Sequence, residues 1–244
     1  MFKRRELPEF LNVPWGVRDV LIFIVAWFGL QLLFGVMLQV LSRSIPAVAM
    51  FLRALENHSV AASFGLDLVG VIIGLALVAG FVRHYRSSWQ MVGWRKVGIL
   101  KTLLYLFGIM IIFFILAQAA LMLVEFLIPS FNANQPQTNE FTSGISTNRN
   151  LALIALVLLP PIFEETIFRG FIFPALSKRL GVVGGAILSS IIFGAAHGQA
   201  NLFVYTSILG LLLCFMYVRL RSIFPGILLH MLNNYLAFLA LSGK

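Results

Sequence analysis

Long stretches of apolar residues, separated by short polar and basic connections, recur along this chain. The first extends from about Leu21 to Leu41, and others cover roughly 60–82, 100–129, 149–176, 182–197, 202–218 and 223–241. Several approach the roughly 20 residues that a helix needs to cross hydrocarbon, so the pattern predicts an all-α, polytopic transmembrane bundle of about seven spans. Pro160-Pro161 removes two backbone donors from the fourth run. A short helix, a break and a new helix from near Ile162 are expected there, which would bring the spans to eight. The first run is longer than a signal-peptide core, so no cleaved signal is expected. Residues 1–148 read as N-terminal membrane helices and a polar loop, and 149–241 as the core of the same integrated domain.

Composition strengthens the membrane reading, with 60% of the 244 residues hydrophobic and only 11% charged. The net charge of +9 does not point to nucleic acid, because the basic residues form short clusters beside apolar runs. They lie at Lys3-Arg4-Arg5, at Arg83, Arg86, Arg95 and Lys96, at Lys178-Arg179, and at Arg219 and Arg221. Every second connection is therefore basic, which assigns these to the cytoplasmic side; in a bacterium the protein is expected in the cell (inner) membrane. The loop from about Ser130 to Arg149, rich in Asn, Gln, Thr and Ser, would face the other side. The single cysteine, Cys214, excludes an intrachain disulfide framework and reads as a small apolar residue within a span.

Against this background the last third of the chain places several polar groups inside apolar runs, which marks a functional site. Glu165 and Arg169 stand at i, i+4 and can pair on one helical face, leaving Glu164, about 100° around the helix, free to act as a general base on water. A purely structural pairing needs only one acid for one arginine. His197 follows Phe193-Gly194-Ala195-Ala196, whose small residues admit a close neighbour, and can supply a second hydrogen-bonding group beside that water. His230 and Asn234, again i, i+4, can donate to the oxyanion of a tetrahedral intermediate, with Asn233 a possible substitute; the structural alternative is an interhelical polar clamp. At about 1.5 Å per residue, Glu164 and His230 lie roughly 10 Å from the cytoplasmic edge, whereas His197 falls nearer the far side. A break at Pro160-Pro161, a re-entrant segment after Arg169 or helix tilt would reconcile the depths.

The motifs Glu-Glu-x-x-x-Arg, Phe-x-x-x-His and His-x-x-x-Asn, in this order and within apolar helices, resemble those of the ABI family. This family, also called CPBP, comprises intramembrane proteases related to the type II CAAX prenyl endopeptidase. The resemblance covers roughly residues 149–241. It implies a bundle of about eight helices around a cavity open to membrane and cytosol. It further implies that Glu164 and His197 activate water, that His230 and Asn234 form the oxyanion hole, and that Glu165 and Arg169 are supporting charges. The implied activity is hydrolysis of a peptide bond in a membrane-anchored peptide or protein, prenylated at a CAAX sequence or not, without a cofactor.

Two histidines and a carboxylate also allow zinc at Glu164, His197 and His230, with an open position for water. Asn234 is a poor zinc ligand and no His-Glu-x-x-His helix is present, which favours the metal-free form. A non-catalytic interaction or immunity protein that retains the protease fold is the alternative function. A small transporter, with Asp67 and Glu125 as further relay groups, is a third, but the polar set is concentrated in one third of the chain and no repeat is evident.

Overall fold

A computed structural model describes residues 7–57, 59–131 and 148–242. The Lys3-Arg4-Arg5 cluster and most of the polar loop, residues 132–147, lie outside the described residues. Each apolar run becomes a helix, and no strand occurs among the described residues. The helices are α1 (Val17–Leu41), α2 (Pro46–Glu56), α3 (Val60–His84), α4 (Ile99–Leu127), a helical run Arg149–Ala195, α7 (Ala200–Leu220) and α8 (Phe224–Ser242). The long run divides at Gly181, where φ is 71° and ψ is 172°, into α5 (residues 149–180) and α6 (residues 182–195). A 3-10 turn, Glu9–Leu11, precedes α1.

By length and hydropathy α1, α3, α4, the run that holds α5 and α6, and α7 can cross a membrane; α8 is a shorter apolar helix. Large apolar side chains turn outward along these helices, Val25, Phe107 and Phe126 among them, which water would penalise and lipid does not. This is an integral membrane protein. Only α2 has no counterpart among the apolar runs. It starts with Pro46 at its first turn, buries no residue and is too short to span.

The Pro160-Pro161 pair does not break the helix, contrary to the expectation from proline chemistry. The chain stays helical from Arg149 to Leu180, and the strain is taken up just before the prolines by a π-helical stretch, Ile154–Leu158, in which the Leu159 N–H donates to the Ile154 carbonyl. A second π-helical stretch, Thr166–Ile172, follows the glutamate pair. Such widened turns are favoured at functional sites because they re-aim side chains that a regular helix would hold elsewhere.

The break occurs instead at Gly181, whose positive φ lets α6 turn back along α5. A Cβ on Gly185 would collide with Ser177, and the Phe168 and Phe193 rings meet edge to face at 4.9 Å. The two helices therefore form a tight antiparallel hairpin. α6 then packs on α7 through small residues: a Cβ on Gly210 would stand 3.0 Å from Ser190, and one on Gly194 would meet Ser207 and the Phe203 carbonyl. The second half of α5 carries Phe171, fully buried, stacked on Trp15 at 5.3 Å and packed against Phe23 and Phe81. Trp15 Nε1 donates to the Phe171 carbonyl at 3.0 Å, so α1 and α3 seat directly on the helix that holds the glutamates.

The described basic connections gather at one end of the bundle. Ser222 Oγ donates to the Arg95 carbonyl at 2.6 Å, and the Ile223 N–H to the Gly93 carbonyl at 3.0 Å. Lys178 Nζ donates to the Val13 and Trp15 carbonyls at 2.9 and 3.0 Å, and the Arg95 and Arg221 guanidinium groups both lie over Phe10. Clusters that are separate along the chain thus share one end of the bundle, the bias on which the positive-inside rule rests.

Candidate active site

Four buried or half-buried groups meet where α5 crosses α8. Glu165 has no exposure, and its Oε1 lies 3.0 Å from Arg169 Nη1, the i, i+4 pair that helical geometry predicts. Arg169, 1% exposed, lays its guanidinium over the face of Phe193, 4.4 Å from the ring centroid. A buried cation is thereby balanced by one carboxylate and one aromatic quadrupole. Glu165 Oε1 also lies 3.3 Å from His230 Nδ1. Because a carboxylate only accepts, His230 Nδ1 carries the proton in that bond.

Glu164 keeps 22% of its side chain exposed, and its Oε2 stands 3.7 Å from His230 Nε2, beyond a direct hydrogen bond. His230 thus lies between the two adjacent carboxylates, one at each ring nitrogen. The approach depends on Gly226, one turn earlier on α8, where a Cβ would stand 3.0 Å from Glu165 Oε2. Glu164 Oε2, Glu165 Oε2 and Arg169 Nε and Nη2 are buried without a hydrogen-bond partner among the described residues.

His197 lies in the turn after α6. Its Nδ1 donates to the Phe193 carbonyl at 2.8 Å, one of the carbonyls that a helix end leaves unpaired, and in the neutral ring this leaves the lone pair on Nε2. The His197 and His230 rings both meet Phe193 edge to face, at 5.0 and 5.8 Å. The hairpin shortens the path that the depth count assumed. α6 returns from Gly181 over a shorter path than a full span, so Phe193 comes level with Arg169 and His230, and His197 lies one turn beyond it. The partner found beside Glu164 is nevertheless His230.

Asn234 occupies the turn of α8 after His230. Its Nδ2 donates to the Leu156 carbonyl at 3.0 Å, and its Oδ1 accepts from Asn233 Nδ2 at 3.2 Å. Asn233 Oδ1 in turn accepts from the Tyr205 hydroxyl at 2.7 Å. Asn233, considered as a substitute donor, is thus held between two neighbours. Tyr205 carries no motif, and its only sequence signal is a phenol placed within the apolar run of α7. No group of three or more His, Cys, Asp or Glu side chains among the described residues is spaced to hold a metal ion. Cys214 is fully buried on α7, as its setting in an apolar run predicts. Asp67 lies exposed in the first third of α3, and Glu125 lies in the last turn of α4.

A family model described as type II CAAX prenyl endopeptidase Rce1-like matches residues 146–236. The Bacillus subtilis protein YdiL, which carries the provisional name of membrane peptidase, is 35% identical over 85 residues. That alignment covers 34% of this chain and 34% of the relative, so the chain matches about a third of the relative's length. No solved structure matches. Through residues 146–236, whose glutamate, arginine, histidine and asparagine motifs converge around Phe193 and α8, this chain is similar to the Rce1-like type II CAAX prenyl endopeptidases.

Proposed function

We propose that this protein is an intramembrane endopeptidase that hydrolyses a peptide bond in a membrane-associated substrate, with prenylated CAAX-type peptides the first class to test. The observation that carries the reading is the buried meeting of Glu164, Glu165, Arg169 and His230 inside apolar helices. Such a set is expensive in lipid and rarely kept for packing alone.

In this reading Glu164, the more accessible of the two acids, takes a proton from a water molecule whose other hydrogen is held by the His197 Nε2 lone pair. The water oxygen attacks the substrate carbonyl, and the electron pair of the C=O bond moves to its oxygen. Asn234 Nδ2 donates to that oxyanion, as does His230 Nε2 with the ring carrying a proton on both nitrogens, its Nδ1–H still donating to Glu165. When the carbonyl re-forms, the C–N bond breaks and the leaving amine takes a proton from the acid that received it. Glu165 holds Arg169 and His230 in register, and no metal takes part.

The test is turnover of a quenched fluorescent peptide library, with and without a farnesylated CAAX member, by purified wild type and Glu164→Ala. Loss of about 10²–10⁴-fold in Glu164→Ala, with the protein still folded in detergent, is expected. Equal turnover by the two proteins would reject the assignment. Loss of wild-type activity on adding a zinc chelator would replace this mechanism with one using zinc at Glu164, His197 and His230. A wild type that cleaves no member would favour the interaction-protein reading.

A further inference from the structure

We infer that Tyr205 and Asn233, which lie outside the assigned catalytic set, are positioning residues that orient the carboxamide of Asn234, and that Pro160-Pro161 supplies the carbonyl to which this alignment is anchored. The inference rests on the oxyanion role proposed for Asn234 and concerns how that role is prepared.

The anchor follows from the covalent chemistry of α5. In a helix the Leu156 carbonyl would accept from the N–H four residues on, and in a π turn from the one five residues on. Those residues are Pro160 and Pro161, and neither has an N–H. The Leu156 carbonyl is thus left without a helical partner inside an apolar bundle, where an unpaired carbonyl is costly. Asn234 Nδ2 fills the vacancy at 3.0 Å. The proline pair therefore leaves the helix intact and turns one of its carbonyls into a fixed acceptor for α8.

A carboxamide can rotate by 180° and exchange its oxygen for its nitrogen, which would replace a donor by an acceptor at the reacting centre. Two bonds oppose that rotation. At one end the Leu156 carbonyl accepts only, so Asn234 must present its nitrogen there. At the other end Asn234 Oδ1 accepts from Asn233 Nδ2, which requires Asn233 to present its own oxygen elsewhere, and the Tyr205 hydroxyl donates to that oxygen. Phe113 of α4, fully buried, meets the Tyr205 ring edge to face at 4.7 Å and fixes the phenol. The chain from Tyr205 through Asn233 and Asn234 to the Leu156 carbonyl is directional throughout. It engages one N–H of Asn234 Nδ2 and leaves the second to donate to an oxyanion.

Tyr205→Phe removes the hydroxyl and keeps the ring on Phe113. The expected result is a fall in kcat of about 3–10-fold, the equivalent of one hydrogen bond, with KM unchanged and the protein still folded. Asn233→Leu, which also frees Asn234 Oδ1, should lower kcat further. Independently of turnover, protein labelled with 15N-asparagine should show the Asn234 side-chain carboxamide resonance, assigned by its loss in Asn234→Gln, displaced in Tyr205→Phe. An unmoved resonance would overturn the inference, as would a kcat within twofold of an active wild type. A displaced resonance in a protein whose wild type cleaves nothing would sustain the orienting network and overturn the proposed function instead.

Discussion

Glu165 and Arg169 show how much a single ionic pair can organise. An arginine with 1% exposure cannot shed its charge, so it needs a counter-charge held within the same dry volume. Glu165 provides it from one turn away, and the same carboxylate oxygen receives His230. Replacing Glu165 by Gln keeps the shape and removes the charge, leaving Arg169 with the Phe193 ring face as its compensation. Loss of one partner of a buried pair costs about 3–5 kcal/mol. Glu165→Gln should therefore lower both the yield of folded protein and its melting temperature in detergent; a melting curve coincident with wild type would show that the pair does not hold the helices. Gly226 belongs to the same arrangement, because a methyl group there would press on Glu165 Oε2.

Among the elements, the α5–α6 hairpin has the largest consequence for the site. A glycine at φ 71° sets the turn, and the short return of α6 brings Phe193 against Arg169 and both histidines. Gly181→Ala forces an L side chain into that conformation at a cost of about 1–3 kcal/mol, although no neighbouring atom would touch the new methyl group. The expected outcome is a lower melting temperature with the folded spectrum retained, and unchanged stability would mean that the turn tolerates side chains. The Pro160-Pro161 stretch is the complementary case, since residues that ordinarily end a helix are accommodated by a π turn before them and a side-chain amide from α8.

For the molecule as a whole, lipid and charge decide the arrangement. The helices turn large apolar side chains outward, and the described basic connections share one end with the tip of the α5–α6 hairpin. The positive-inside rule leads us to expect that end on the cytoplasmic side. Val183, 72% exposed beside the turn, is a suitable reporter, because the native Cys214 is fully buried and should stay unreactive. In vesicles, Val183→Cys should react with a membrane-impermeant maleimide when the cytoplasmic face is outward and not when it is inward. The reverse pattern would invert the topology and move access to the site to the other side of the membrane.

Much of this was legible from residue order alone. Hydrophobic runs long enough to cross hydrocarbon admit few solutions other than helices, so the class and the position of nearly every element follow from local pattern. The Glu165–Arg169 pairing was legible for the same reason, as i, i+4 is a property of one helix. The short amphipathic α2 escaped because it contains no long apolar run. Tertiary structure decided what depends on where separate helices touch: that the chain turns at Gly181 and not at Pro160-Pro161, that His230 lies between both glutamates, and that Asn234 answers a carbonyl on α5 with Tyr205 behind it. A backbone dihedral at one glycine and the packing of small residues between helices set these contacts, and neither leaves a periodic trace in the sequence.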